Sequence, residues 1–283
     1  MATDVEIANQ ALLRVGAESI TSAEWTTPTN ERSRAVSNSW PFVRREVLRA
    51  HPWNSVTKRR TILAEAALSS YLKPNFDFSH SFKLPDDCLR VLEVDVEGQW
   101  RVERAPVSVT SAGTYSSSYP QVVSSEVRIV TAAPHNLGTG ALCYVSSASD
   151  DKLNGQLSHI EKVNDTTVRF PDIDQDGFTD GSLVGGVLAS VEEAVALVAD
   201  TEGPVGIRYI EDETNPAFFD SMLTEAIVLR LAVEIVERVT DSTRKREALM
   251  AEYADFMREV KHIEGQEQSP SKFEEDLWIS SRY

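Results

Sequence analysis

The acidic stretch at residues 172–180 comes nearest, in this sequence, to the residue spacing of a known chemical site. Asp172, Asp174 and Asp176 match the first, third and fifth positions of a calcium-binding loop, and a glycine follows at the sixth. The twelfth position, where the loop needs a bidentate glutamate, holds Leu183, and neither flank has a helical pattern. The stretch, which also contains Asp180, is therefore a candidate metal site. The alternative is an acidic surface loop.

The other residues that could carry chemistry are scattered along the chain. The histidines form no pair at metal-ligand spacing, and Cys88 and Cys143 lie far apart. The glycines around residue 140 lack the lysine and hydroxyl residues of a phosphate-binding loop. Asp86 and Asp87 are adjacent, so their side chains point apart rather than across a cleft, as a glycoside hydrolase requires. We predict that the protein is not an enzyme and holds no cofactor. The alternative, if it is an enzyme, is a cell-wall hydrolase.

Composition limits the classes of partner. The chain has 283 residues and a formal charge of −16, which argues against a surface that binds duplex DNA generally. DNA could still pass through an acidic channel without sticking to it. No apolar run approaches the ~20 residues of a membrane helix, and the start of the chain lacks the basic residues of a signal peptide. The sequence therefore predicts a protein of a reducing cytoplasm, without a membrane partner.

Residues 31–60 are the stretch around which the other elements are organised. Val36, Trp40, Val43, Val47 and Leu48 recur at three- and four-residue steps, which predicts one buried helix face. The opposite, basic face is predicted to carry the side chains Arg44, Arg45 and Arg49.

Two prolines decide the shape of this helix. Pro41 lies inside the pattern and predicts either a kink or two abutting helices. Pro52 predicts that the helix ends at His51. The structural corner after the helix is predicted to consist of His51, Pro52, Trp53 and Asn54, with the indole of Trp53 as its buried anchor.

Three further helices are predicted. Thr3 and Glu6 form a capping box before the first helix, which ends at Gly16. Asn215 and a following proline predict the start of a helix that is apolar almost all round at residues 226–236. This helix either lies at the centre of an intramolecular bundle or is buried by neighbouring copies. An apolar stripe at residues 249–263 predicts the last helix.

The rest of the chain is predicted to be β structure and a tail. Short strands with regular turn signals predict an all-β, barrel-like domain with its linker at residues 109–191. It is inserted into a core of residues 1–108 and 192–264, which contains a helical bundle and a β platform. The predicted class is therefore α+β. Residues 265–283 form a predicted docking tail, because they end in several aromatic and apolar side chains.

Five motifs, taken in order, resemble the tail tubular protein A family, the head-to-tail adaptors of short-tailed phages. The motifs are EIANQALLRVGAESI, RREVLRAHPWNSVTKR, LPDDCLRVLEV, IRYIEDETNPAFFDSMLTEAIVLRLAVEI and YADFMREVKHIEG with a later WISSR. The order of five motifs is far more specific than any one of them. The resemblance covers most of the chain outside the insertion.

The inserted segment resembles a small β module of phage tail proteins. Its turn PHNLGTG, followed by LNG and VNDTTVRF, is similar to the first catalytic-cysteine-half-type domain of ubiquitin-activating enzymes. That label names a fold and implies no catalytic residue in this chain.

The resemblance to the adaptor family implies a ring of copies, commonly twelve, between the portal protein and the tail nozzle protein. The protein would then be made in the host cytoplasm and reside in the virion, with genomic DNA passing through the lumen during retention and ejection. We predict that the partner-binding side chains are Arg44, Arg45, Arg49, Phe273, Leu277, Trp278 and Tyr283.

The alternative function is a recognition module. The inserted β domain would bind tail fibres, a host glycan or calcium. Its exposed aromatic candidates are Tyr115, Tyr119 and Phe178.

Overall fold

The computed structural model describes residues 3–64, 77–115, 122–123, 126–146, 157–171 and 186–266. Both helices and β-sheets are present, which confirms the α+β class. The α-helices are α1 (Asp4–Val15), α2 (Ser22–Thr26), α3 (Glu31–Ala50), α4 (Ser221–Thr240) and α5 (Thr243–Gln266). The strands up to the insertion are β1 (Thr57–Ile62), β2 (His80–Lys83), β3 (Cys88–Asp95) and β4 (Trp100–Tyr115). The remaining strands are β5 (Val122–Val123), β6 (Glu126–Val130), β7 (Leu142–Ser146), β8 (Leu157–His159), β9 (Glu161–Lys162), β10 (Thr167–Phe170), β11 (Gly186–Ala199) and β12 (Val205–Glu211).

The ends of the helices follow from side chains that satisfy free backbone groups. At the start of α1 the Thr3 hydroxyl accepts from the Glu6 backbone N–H, and the Glu6 carboxylate accepts from the Thr3 N–H at 2.8 Å. Gly16 ends this helix in the left-handed conformation, with φ of +76°. Helix α3 runs without a break through Pro41 and ends where His51 becomes extended.

The start of the fourth helix differs from the prediction. The Asn215 side chain accepts from the Ala217 backbone N–H, but the turn it caps is a short 3-10 helix, Pro216–Phe218. Helix α4 begins only after Asp220, whose carboxylate accepts from the Leu223 N–H at 2.7 Å. Asn215 and Pro216 therefore start a short turn of their own, and the long helix begins about one turn later.

The strands form three sheets in the described part of the chain. The first has the order β1-β12-β3, and the second has the order β5-β6-β10-β9. In the third, β11 pairs with β4 along its whole length on one side, and with β2 and β7 on the other side. Strand β8 continues this sheet beyond β7. None of these described sheets closes into a barrel, so the barrel-like prediction is not confirmed.

The described residues divide into two compact units. The first contains residues 3–59, 87–92 and 208–266, and the second contains the described residues of 60–86 and 93–207. This division differs from the predicted insertion at 109–191, because β4 and β11 run through both predicted boundaries as one antiparallel pair. The Ser- and Thr-rich segment before residue 115 is therefore strand rather than linker.

The first unit has a core in which α4 is central. Helix α4 contacts α1, α3 and α5, and its residues 226–236 are buried apart from Arg230 and Glu234. The contacts with the other helices account for the almost all-round apolar pattern within a single chain. The finer description of this unit as a helical bundle stays a prediction.

The second unit has its own small cores. One lies among β6, β7, β10 and β11 and is built around the side chains of Val127, Ile129, Val145, Val168 and Phe170. The turn before β7 is fixed by His135, whose two ring nitrogens bond the Leu137 N–H at 3.0 Å and the Asn164 carbonyl at 2.9 Å. The PHNL and VND motifs of the sequence thus meet in space.

None of the helices among the described residues is long and apolar enough to cross a membrane.

Candidate functional site

The outward face of α3 carries the most unusual surface of the first unit. Arg34, Asn38, Phe42, Arg45 and Arg49 follow one another at helical spacing and are all exposed. Phe42 is 74% exposed, the highest fraction among the large apolar side chains that the structure describes as exposed. The face therefore combines positive charge with an aromatic ring at its centre.

The inward face of α3 contains a buried charge. The Arg44 side chain is 5% exposed and its guanidinium lies 2.7 Å from the Asp212 carboxylate, which is 15% exposed. Arg44 also donates to the backbone carbonyl of Glu213. Arg44 therefore does not share the exposed basic face predicted for it, because its charge is satisfied within its own unit.

Arg45 also binds the Asp212 carboxylate, but from the solvent-exposed side. Its Nε donates to the second oxygen of Asp212 at 2.8 Å, while 58% of the Arg45 side chain stays exposed. The segment between β12 and α4 is thus held to α3 by two neighbouring arginines. Burial raises the pKa of the Asp4 carboxyl at the start of α1, and the charge of Arg44 opposes that rise.

The corner after α3 is built on Trp53. The indole is fully buried, and its N–H donates to the Val47 backbone carbonyl at 2.9 Å. A short 3-10 turn, Asn54–Val56, then leads into β1. A buried ring that also satisfies a carbonyl near the end of α3 fixes the direction in which the chain leaves the helix.

His51 ties this corner to the last helix. Its Nε2 lies 3.0 Å from the Glu264 carboxylate, and both side chains are more than nine-tenths buried. The imidazole also packs edge-on against Trp53, with ring centroids 5.0 Å apart. Burial, together with the charges of Lys261 and Arg90, lowers the pKa of His51, so we take the imidazole as neutral near pH 7.

Sequence reasoning missed three residues of this site. Asp212 lies in an acidic run after a strand, and nothing in that run singles it out as the partner of Arg44. Glu264 lies four residues after Val260 on the buried stripe of α5, and that position was the available signal. Phe42 lies outside the apolar stripe of α3. An apolar residue on the polar face of a helix is visible in the sequence, and that was the available signal.

The second unit contains a groove of about 390 Å³, lined by residues 60–63 and 83–86. Arg60 and Lys83 contribute positive charge to it, and Asp86 contributes one carboxylate. Asp86 and Asp87, although adjacent in sequence, serve different contacts. Asp87 accepts from the Tyr209 hydroxyl at 3.3 Å and Asp86 lines the groove.

The free cysteines are poor nucleophiles in this fold. Burial is the main cause that raises the pKa of Cys88 to about 11 and that of Cys143 to about 12. Both thiols are therefore protonated at neutral pH.

Several predicted site residues lie outside the described part of the chain. They are Asp172, Asp174, Asp176, Phe178, Asp180, Tyr119, Phe273, Leu277, Trp278 and Tyr283. Tyr115 is described only as the last residue of β4. The calcium candidate and the docking tail therefore stay predictions. Within the described ranges, no group of three or more His, Cys, Asp and Glu side chains is placed to hold a metal ion.

Comparison of the sequence with models of known protein families and with curated proteins found no match.

Proposed function

We propose that this chain is a structural head-to-tail adaptor of a short-tailed phage. Copies of the chain form a ring between the portal protein and the tail nozzle protein, and genomic DNA passes through its lumen. The protein acts by assembly, so its functional parts are surfaces rather than a reactive centre.

One observation supports the proposal above all others. The five motifs of the resemblance are spread over more than 200 residues of sequence, yet all of them contribute side chains to one core of the first unit. Ile7, Val47, Leu89, Ile227 and Val260 represent them in that order, with Leu89 partly buried. The segments that carry the resemblance thus belong to one folded unit, as expected if they form the core of such an adaptor.

The surface of the same unit has features suited to assembly. Large apolar side chains are exposed on it, namely Leu13, Phe42, Phe218 and Met250. Single exposed apolar residues are ordinary, but Phe42 shares one exposed helix face with Arg34, Arg45 and Arg49. Aromatic and arginine side chains are the types most often found at the centre of protein interfaces.

The helical-bundle interpretation supports the same function. Antiparallel helices around α4 would give a rigid wall, so that each copy presents fixed faces to its neighbours. A ring of identical copies needs two different complementary faces on each copy, because the contact is head-to-tail.

Co-sedimentation with purified portal rings tests the function. The full chain is expected to migrate with the portal at a fixed ratio of copies, and to be monomeric or weakly associated without it. A chain that stays in the free fraction at all ratios, with its unfolding transition intact, would show that it is not a portal adaptor. Portal rings alone and the chain alone are the controls.

A further inference from the structure

The strongest unassigned surface is the outward face of α3 together with Arg90. The exposed Arg90 donates to the Arg49 backbone carbonyl at 3.3 Å, so it extends the positive charge at the end of the helix. We define the α3 face as Arg34, Asn38, Phe42, Arg45, Arg49 and Arg90. The acidic residues beside it are Glu31 in the first turn, Glu46, whose carboxylate is held by Arg230, and Asp212, which accepts from Arg45 at 2.8 Å.

The charge of the α3 face is opposite in sign to the net charge of the chain. The protein carries a formal charge of −16, whereas the α3 face is basic and has an exposed phenylalanine at its centre. A partner that fits it needs carboxylates to meet the arginines and aromatic rings to meet Phe42.

The chain itself contains such a partner. The segment 273–278 reads FEEDLW, which has three consecutive acidic residues between two aromatic ones and no basic residue. Six extended residues span about 20 Å. The rise along α3 from Asn38 to Arg49 is about 17 Å. The segment and the face therefore match in charge, in aromatic character and in length.

We infer that residues 273–278 of one copy bind the α3 face of a second copy. This inference rests on the proposed ring, and it names the contact that joins successive copies. Trp278 packs on Phe42, Phe273 lies at the opposite end of the extended segment, and the three carboxylates pair with Arg45, Arg49 and Arg90. The contact is head-to-tail, because donor and acceptor are different parts of the chain.

Peptide binding tests the contact directly. A fluorescein-labelled peptide of residues 267–283 is titrated with the full chain carrying Phe273→Ser and Trp278→Ser, so that its own tail does not compete. We expect Arg49→Glu in the chain to weaken binding about tenfold, and Phe42→Ser about thirtyfold. A peptide with Glu275→Lys is expected to regain affinity for the Arg49→Glu chain.

Two charge-matched controls separate this face from general attraction. Arg244→Glu changes an exposed arginine on α5, and Lys83→Glu changes the groove of the second unit. Neither is expected to weaken binding more than twofold at physiological salt, where charges beyond ~8 Å are screened. Equal losses in Arg244→Glu and Arg49→Glu would overturn the inference. So would a loss confined to Lys83→Glu, or no peptide binding at all.

Mixing of two variants tests that the contact joins different copies. One chain carries Phe42→Ser and Arg49→Glu, and the other carries Phe273→Ser and Trp278→Ser. Each alone should stay monomeric in sedimentation at high concentration, whereas the mixture should form a dimer with one intact contact. Peptide binding without a mixed dimer would place the contact within one copy and overturn the inference as stated.

The outcomes also separate this inference from the adaptor function. If the full chain sediments with portal rings but the peptide does not bind, the adaptor function stands and the proposed contact is wrong. If the peptide binds with the expected variant pattern but the chain does not bind the portal, the contact stands and the adaptor function is wrong.

Discussion

Arg44 and Arg45 are adjacent, carry the same charge and share the carboxylate of Asp212, yet their surroundings give them different weights. The Arg44 guanidinium is almost completely buried, so its removal leaves Asp212 without its inner partner at a largely buried position. Arg45 meets the same carboxylate from solvent, where water and salt screen the interaction.

We therefore expect Arg44→Met to lower the free energy of unfolding by about 3–5 kcal/mol. Arg45→Met is the matched control and should cost no more than about 1 kcal/mol. Chemical denaturation followed by far-UV circular dichroism measures both. Equal losses in the two variants would show that the burial of Arg44 does not determine its contribution.

We expect His51 to make the stability of the first unit depend on pH. Its pKa is lowered in the folded chain by burial and by Lys261 and Arg90, against a smaller opposing effect of Asp220, while Glu264 contacts its Nε2. Below its unfolded pKa of about 6.5, the unfolded chain binds a proton that the folded chain does not. The contribution of His51 to the free energy of unfolding is therefore fully present above that pH, and it is lost as the pH drops toward the folded pKa.

The measurement is the free energy of unfolding between pH 8 and pH 5 for the protein and for His51→Gln. The variant should lose part of the slope between pH 6.5 and pH 5. Identical slopes in the two proteins would mean that His51 titrates alike in the folded and unfolded chain.

Helix starts and ends that depend on nearby residues could be predicted from the sequence, whereas features that depend on distant residues could not. The cap of α1, its glycine stop and the end of α3 at His51 are encoded within a few residues, and the structure has them where predicted. Asn215 was also a true cap, but of a short turn, since the choice between a 3-10 turn and a long helix depends on the residues after Phe218.

The long strands show the same limit in β structure. Residues 109–115 resemble a linker in composition, but their backbone pairs with β11. Backbone pairing with a strand some 75 residues later leaves little trace in side-chain type. The burial of Arg44 was equally unpredictable, because it depends on Asp212, far away in the sequence, whereas Glu264 lies on the buried stripe of α5.

Pro41 lies inside one continuous helix, so the prediction of two abutting helices is wrong. Helix α3 continues through it, so the carbonyl of Ser37 lacks the backbone N–H that a non-proline residue at position 41 would offer. We expect Pro41→Ala to raise the free energy of unfolding by up to about 3 kcal/mol. Asn38→Ala, on the same exposed face, should change it by less than about 0.7 kcal/mol. A destabilised Pro41→Ala chain would mean that the packing of α3 depends on a local geometry that only proline provides.

For the whole molecule, the distribution of charge matters more than its sum. In the proposed ring, the excess of 44 acidic over 28 basic residues would keep copies apart at a distance and let DNA slide past them. Assembly then needs a local region of opposite sign, and the α3 face supplies one. A ring built on such a contact should be weakened by salt, as interactions between exposed charges are.

Removal of residues 267–283 tests how far fold and assembly are separate in this chain. The described residues of the first unit already form a large buried core, so we expect the truncated chain to unfold at the same denaturant concentration as the full chain. Because the tail is the proposed link between copies, the same truncation should abolish the fixed ratio of copies on portal rings. A full-length chain with Phe42→Ser should reproduce that loss, since it removes the acceptor instead of the donor. If the truncated chain still loads the portal normally while Phe42→Ser does not, the α3 face binds the portal itself rather than a neighbouring copy.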